Sequence, residues 1–448
     1  MKRYEAYKPT GTNWIPSVPI TWDVKKIVHL FSQRKEKVSD RDFPPLSVTK
    51  NGILPQLENA AKTDDGDNRK RVCVGDFVIN SRSDRKGSCG VSALEGSVSL
   101  INIVLQPRKQ LTGSYAHYLL RSQPFSEEFY RNGRGIVADL WTTRYSEMKT
   151  ILLPVPPREE QDQIVRYLDW QVSKINRLIA AKRKEIALFE ELKTHQTTNA
   201  VLHGVEQYKE YIETQEFGRI PAHWRVYQNK RLFRERVEHS EMGTETLLSV
   251  SKHYGVKPSA DLTEDEQFAT IKPALSLAGY KVVHKNDLVM NIMRARNGSY
   301  GISAYDGIVS PAYCIYYATK NCNVKYLHYF LRTPHVKSLF EAYSSGIAEH
   351  RRRLYPEDFL RLTSALPPIE EQNEIVEHIE QSLVKYDEAI ANLKRQIACL
   401  QDTKTRLISD VVTGQVDVRG IEVPEYEKYE EIAPGDEDGN DIDEQGDE

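Results

Sequence analysis

Cysteine is scarce and unpaired. The 448 residues hold five (Cys73, Cys89, Cys314, Cys322 and Cys399), scattered, odd in number and without a CxxC pair. That usage fits reduced cytosolic thiols and excludes a disulfide framework or a zinc site. The 12 histidines show no ligand spacing, so no metal is expected; His203 and His223 read as surface or cap residues. No stretch approaches ~18 apolar residues, the length a membrane span needs. The start, Met1-Lys2-Arg3-Tyr4-Glu5, lacks an apolar signal segment, so a cytoplasmic location is expected.

Catalytic signatures are missing as well. There is no phosphate-cradling Gly-x-x-x-x-Gly-Lys-Ser/Thr run and no His-Glu-x-x-His zinc helix. A DNA-adenine methyltransferase would carry an Asn/Asp-Pro-Pro-aromatic loop. The Pro-Pro pairs here are Pro44-Pro45, Pro156-Pro157 and Pro367-Pro368, and none has those neighbours. Asp139 with Glu147-Met148-Lys149 faintly suggests a nuclease triad, but such patterns arise by chance in a chain that is 28% charged. The chain is therefore expected to be non-catalytic.

What is present is a repeat, the first thing to seek in a long chain. At an offset of 202, Pro19, Trp22, Leu30, Phe31 and Arg34 face Pro221, Trp224, Leu232, Phe233 and Arg236, and Leu46 to Lys50 faces Leu248 to Lys252. The offset then becomes 211: Asp76 to Asn80 faces Asp287 to Asn291, Gly87, Ser88 and Gly90 face Gly298, Ser299 and Gly301, and Arg121 faces Arg332. Two copies of this size are domains rather than solenoid units. Trp22 and Trp224, matched and flanked by prolines, read as core anchors.

Each copy closes on a long helix. Pro156-Pro157-Arg158-Glu159-Glu160-Gln161 matches Pro367-Pro368-Ile369-Glu370-Glu371-Gln372, and neither Gly nor Pro follows until Gly204 and Gly414. Prolines before and a glycine after are the expected helix punctuation. The apolar spacing is heptad-like. It runs through Val172, Ile175, Ile179, Ile186 and Phe189 in the first helix, with Lys182 and Lys193 in the seam. In the second it runs through Leu383, Tyr386, Ile390, Leu393, Ile397 and Leu400, then Leu407 and Val411 after Lys404. An antiparallel intramolecular pair needs no second chain; a parallel homodimer through each helix is the alternative. Antiparallel pairing would relate the two copies by a two-fold axis, as duplex DNA relates its strands.

The net charge of −3 conceals an asymmetry. Residues Glu422 to Glu448 carry 13 acidic side chains against Lys428, a net of −12, which leaves +9 on the rest. A basic body can attract a polyanion. The acidic tail has too little apolar content to fold and reads as a solubilising extension, or else as a tail that mimics DNA or screens the basic surface.

With these motifs in hand, the chain resembles the specificity subunit of type I restriction–modification systems. The doubled layout, the entry signature Ile220-Pro221-Ala222-His223-Trp224, the Pro-Pro-x-x-Glu-Gln helix starts and the ending Leu407 to Gly414 carry the likeness, from Trp14 to about Arg419. The resemblance implies an α+β chain with two similar α/β target-recognition domains, each reading half of a bipartite double-stranded DNA target. It implies that two long helices, paired as an antiparallel coiled coil, separate the domains and dock methyltransferase subunits, two of them expected, with restriction subunits as further partners. S-adenosylmethionine, and ATP with Mg where a nuclease is present, belong by the same implication to partner subunits; this chain needs no cofactor. The expected organisation is 1–157 first domain, 158–205 first helix, 206–368 linker and second domain, 369–414 second helix, and 415–448 acidic disordered tail. A coiled-coil scaffold whose basic domains bind protein or RNA is the alternative.

DNA contacts are expected where the copies differ, in loops rich in Arg, Lys, Asn, Ser and Thr. The aligned loops 80–88 and 291–299 offer Arg82, Arg85, Lys86 and Ser88 against Arg294, Arg296, Asn297 and Ser299. Their shared Gly-Ser-x-Gly would let backbone approach a phosphate closely. Solvated hairpin tips are the plainer reading. Later clusters add Thr143 and Arg144 after Trp141, and Arg351, Arg352 and Arg353 after His350. Three consecutive arginines cannot all be buried. Lys50 and Lys252, at matched positions, complete the set.

Overall fold

The computed structural model describes residues 2–57, 66–82, 85–135, 141–252, 254–262, 276–346 and 352–429. They form two compact units. The first comprises Met1–Arg183 with Leu393–Gly435, and the second contains Lys184–Asn392. Each long helix therefore contributes half its length to each unit. Among the described residues no helix is long and apolar enough to cross a membrane.

The first unit is built on an antiparallel four-stranded sheet in the order Cys89–Val91, Phe77–Asn80, Asn102–Pro107, Phe31–Gln33. The second repeats it as Tyr300–Ile302, Leu288–Asn291, Tyr313–Ala318, Phe233–Glu235. Even register is kept: Gly90 sits opposite Val78, and Gly301 opposite Val289. The central strands are apolar on both faces, as Phe77-Val78-Ile79 shows, because one face meets each of two cores. Trp22 (0% exposed) and Trp224 (3%) are core anchors as expected. A bidentate ion pair recurs beside each sheet: Arg34 on Asp76 and Arg236 on Asp287, both at 2.7 and 3.1 Å.

The helix-start motif explains itself once folded. Glu160 is buried and accepts from Tyr4 Oη (2.5 Å) and Trp22 Nε1 (3.0 Å). Glu371 accepts from Tyr208 Oη (2.5 Å) and Trp224 Nε1 (2.9 Å), with His223 Nε2 at 2.7 Å from its other oxygen. Gln161 donates to the carbonyls of Pro156 and Gln110 and accepts from Thr112 N–H. Gln372 likewise donates to Pro367 and accepts from Asn323 N–H. Thr112 and Asn323 cap the next pair of matched helices, Gly113–Arg121 and Val324–Leu331. One dipeptide thus fixes the helix entry, the aromatic anchor and a neighbouring helix start.

The long helices span Arg158–His203 and Ile369–Val412, each about 65–70 Å at ~1.5 Å per residue. Their pairing is an antiparallel coiled coil. In the first unit Asn176 meets Lys404 (2.8 Å) and Lys182 meets Gln396 (2.5 Å), so advance along one helix is retreat along the other. In the second unit Phe189 packs on Tyr386, rings 5.9 Å apart, and Lys193 reaches Asp387 at 2.5 Å. The expected seam residues turn inward. Ile175, Ile179, Ile390 and Leu393 are buried; Val172, Ile186, Phe189, Leu383, Tyr386, Ile397 and Leu400 are half-buried. Each seam lysine finds a polar partner across the pair, which penalises other registers.

The helix ends are captured by the unit cores. Tyr115 Oη donates to Val412 O (3.0 Å) in the first unit, and Tyr326 Oη to Val201 O (3.0 Å) in the second. The expected tail boundary at 415 shifts. Residues 415–429 lie on the first unit, with Val416 and Val418 buried in its core and Asp417 N–H donating to Lys2 O. Charge composition concealed this because the apolar residues alternate with acids. Residues 430–448, most of the acidic tail, lie outside the described residues.

Replacing Gln161 with leucine should strand Thr112 N–H and two carbonyls, at a cost of about 3 kcal/mol. Urea titration followed by Trp fluorescence should show the loss. A change below about 0.5 kcal/mol would mean the motif does not pin the helix.

Candidate nucleic-acid interface

Both loops are built around an asparagine. Asn80 Oδ1 accepts Arg82 N–H (3.0 Å), and Asn291 Oδ1 accepts Met293 N–H (3.0 Å). Each asparagine also donates its N–H to the matched serine, Ser88 O or Ser299 O, at 3.0 Å. Those serines are buried (5% and 6%). They close the loops rather than project from them.

The glycines act differently from the phosphate-approach expectation. Gly87 (φ +81°) and Gly298 (φ +90°) adopt the left-handed conformation that closes the turn. Gly90 and Gly301 face backbone instead: a Cβ there would sit 3.2 Å from Gly52 Cα and 3.1 Å from Gly255 Cα. The glycine pattern therefore serves packing between hairpins.

In the first loop Arg82, Arg85 and Lys86 are exposed, and Lys86 Nζ lies 5.2 Å from the Tyr130 ring centre. In the second, Ala295–Asn297 forms one 3-10 turn anchored by fully buried Ala295. Asn297 is exposed; Arg294 and Arg296 are half-buried. Arg296 Nε is buried and has no hydrogen-bond partner among the described residues.

Folding brings the later clusters alongside. Thr143 N–H donates to Ser81 O (2.9 Å), and Arg82 is bridged to Thr142. Trp141 Nε1 donates to Tyr130 O (2.8 Å) and Thr143 Oγ1 to Phe129 O (2.8 Å). Thr143 is thereby buried, while Arg144 stays exposed. The second unit repeats the contact with Leu354 N–H on Ile292 O (3.0 Å). There Arg352, with Nε 3.3 Å from Ser344 O, stands where Trp141 stands in the first unit, and exposed Arg353 stands where Thr142 stands. Arg351, His350 and Asp139 lie outside the described residues.

Lys50 and Lys252 occupy hairpin turns with exposed side chains. Their carbonyls are held by Arg121 Nη2 and Arg332 Nη2, both at 2.5 Å. Arg121 lines one cleft with Arg82, Lys86 and Trp141. In the second unit a Cβ at Gly298 would lie 3.3 Å from Lys337 Cε and 3.7 Å from Lys252 Cβ, so both lysines flank the turn. Burial, and then Arg332, lower the Lys337 pKa.

The sequence reading missed Lys337, which has no matched cation: Ser126 takes its place. It also missed His117 and His328, although their offset of 211 marks them as paired. Each imidazole Nδ1 lies 3.4 Å from a strand N–H, of Val91 or Ile302. Burial, helped by Arg121 or Arg332, brings both down to about 4. Among the described residues no group of three or more His, Cys, Asp or Glu could hold a metal ion.

No protein-family model matches the chain. A putative type I restriction enzyme MjaX specificity subunit of Methanocaldococcus jannaschii is 23% identical over 437 residues, covering 90% of this chain and 96% of that protein. A chain solved in a study of complex assembly and conformational transition of the type I R-M system aligns with TM-score 0.62 at 14% identity. It covers 89% of this chain and 99% of its own length. The HsdS subunit from Thermoanaerobacter tengcongensis aligns over 91% of this chain and 100% of its own, with 16% identity and TM-score 0.46. The sequence match relates this chain to type I specificity subunits along nearly its whole length, and the first structure shares its fold.

The matched histidines set an acid limb. Their folded pKa lies below the unfolded value near 6.5, so the unfolded state binds more protons between pH 6.5 and 4. Stability is full above that window and falls through it, by on the order of 3 kcal/mol per histidine. Urea midpoints measured from pH 7 to 4 should fall less steeply in His328→Gln than in the parent; parallel slopes would remove His328 as the cause.

Proposed function

We propose that this chain is the DNA-specificity subunit of a type I restriction–modification complex. Each unit reads one half of a bipartite duplex target, and the chain docks methyltransferase subunits, two in number, without catalysing a reaction itself. S-adenosylmethionine, and ATP with Mg where a nuclease completes the complex, are bound by those partners.

The observation that carries this reading is a duplicated frame whose matched surface positions differ in chemistry. Loop, crossing segment and hairpin turn adjoin in both units. Yet Trp141 is exchanged for Arg352, Thr142 for Arg353 and Lys86 for Asn297. Arginine suits bidentate contact to guanine and asparagine to adenine, whereas lysine favours phosphate or guanine. Two units with one backbone and two side-chain sets suit two different half-sites. Of the expected contacts, Arg82, Arg85, Lys86, Arg144, Asn297, Arg353, Lys50 and Lys252 are exposed, and Arg294, Arg296 and Arg352 are half-buried. Ser88, Ser299 and Thr143 shape the loops from within. Lys337 joins the set.

Partner docking is supported by the helices. Leu188 and Leu192, one turn apart, are 50% and 46% exposed, and Leu178 is 51% exposed. Apolar side chains in such positions suit a protein partner.

The test is to co-express the chain with its methyltransferase partner and map methylated adenines genome-wide. A single bipartite motif is expected. Arg296→Ala and Asn297→Ala should relax one half of it and Arg85→Ala the other, each by about 1–3 kcal/mol of base discrimination. A continuous short motif, or both halves changing with one variant, would sink the reading.

A further inference from the structure

The two long helices present the same stripe differently. In the first unit residues 415–429 run along the start of the first long helix. Gln163 Nε2 donates to Val418 O (3.0 Å) and Ile421 O (2.7 Å). Tyr429 N–H donates to Ser173 Oγ (2.7 Å), and Arg177 reaches Glu427 at 3.5 Å. Ile421 and Val423 pack on the core with Tyr118 and Trp170. This strap fills a groove between the long helix and the helix Gly113–Arg121.

The groove and strap are matched in charge. Beside the strap the helix carries exposed Arg166, Lys174 and Arg177, the last paired with Glu427, and the strap carries Glu422, Glu425 and Glu427 with Arg419 and Lys428.

In the second unit the corresponding place lies between Val324–Leu331 and the start of Ile369–Val412, where the described residues leave a cleft lined by Asn323, Lys325, Asn373, Glu377 and Glu380. Its walls are tied by Lys325 Nζ on Glu380 (2.6 Å) and Asn323 on Asn373 (2.8 Å). The residues matching the strap's seat at offset 211 are Glu374 for Gln163, Glu377 for Arg166, Val384 for Ser173 and Glu388 for Arg177. All four are exposed, Val384 at 56%. Lys174 keeps its charge as exposed Lys385, but three glutamates now outweigh it, so the net charge of the stripe has inverted, and Val384 adds an exposed apolar side chain.

We infer that this second groove is a docking site for an extended, basic segment of a partner protein, seated as the strap is seated in the first unit. Charge decides the occupant. A second copy's strap would bring three glutamates onto three glutamates, and like charges at such spacing repel. A lysine- or arginine-bearing segment with one aliphatic side chain for Val384 complements the surface. The partner's access to the chain is then unequal, because the first groove is already filled from within. This inference does not depend on DNA recognition, which methylation mapping reads separately.

The probe is a fluorescent, photo-crosslinking peptide copying residues 415–429 with Glu422→Lys, Glu425→Lys and Glu427→Lys. Titrated against the full chain at low salt, it should bind saturably and crosslink within residues 323–388. Glu377→Arg with Glu388→Arg should weaken it at least tenfold and create affinity for the unmodified acidic peptide. The glutamine versions should fall between, and circular dichroism should show every variant folded, as befits exposed positions. Absence of saturable binding, crosslinks elsewhere, or binding indifferent to the charge reversal overturns the inference. So does equal binding of the acidic peptide by the unaltered chain, which would instead point to a second copy.

Discussion

A carboxylate drawn inward at the first turn of each long helix, buried at Glu160 and half-buried at Glu371, is the constraint on which the rest depends. Glu160 and Glu371 each gather a tyrosine hydroxyl and an indole N–H from the entry segment of the unit. A carboxylate removed from water must be met by donors, since an unmet one costs far more than a neutral group. The entry segment, the tryptophan and the helix are thus placed together or not at all. The adjacent Gln161 and Gln372 extend the constraint to the next helix cap. Each long helix thus starts from a joint fixed within its own unit.

Much of this was legible because it was repeated. The Glu-Gln pair, the tryptophans and the glycines stood at fixed offsets, and repetition separates frame from decoration without any structure. The Pro-Pro pairs and closing glycines set the helix ends to within two residues. What escaped were residues whose role arises from contacts distant in sequence. Ser88, Ser299 and Thr143 look like surface hydroxyls, yet strand pairing draws them inside. The matched glycines suggested room for a ligand, but Gly90 and Gly301 make room for another hairpin. His117 and His328 obeyed the repeat and went unnoticed because no motif surrounds them. The segment 415–429 was hidden by its charge, although Val416 and Val418 alternate with polar Gln415, Asp417 and Arg419 as a half-buried strand would.

Burial follows the same division. Positions that match across the units carry hydrogen bonds into the core, as with Arg34–Asp76 and Arg236–Asp287. Positions that differ lie at the rim of the loop cluster, where a new side chain disturbs little packing. Trp141 and Arg352 mark the border. Each reaches a backbone carbonyl and is half-buried, with the Trp141 ring also 6.1 Å from that of Tyr130.

The capture of Val412 by Tyr115 has a consequence for the order of folding. The two residues are 297 positions apart, and Leu407, Val411, Val416 and Val418 complete the core of the first unit. The second unit, by contrast, draws its described parts from one continuous stretch, Lys184–Asn392. A ribosome releasing this chain from its N-terminus makes the first unit's sheet early and its last core residues late. The apolar surface awaiting them stays open while some 200 further residues are made, and long-range closure of this kind is slow and prone to aggregation. The unit that begins first in sequence is therefore the one that must finish last.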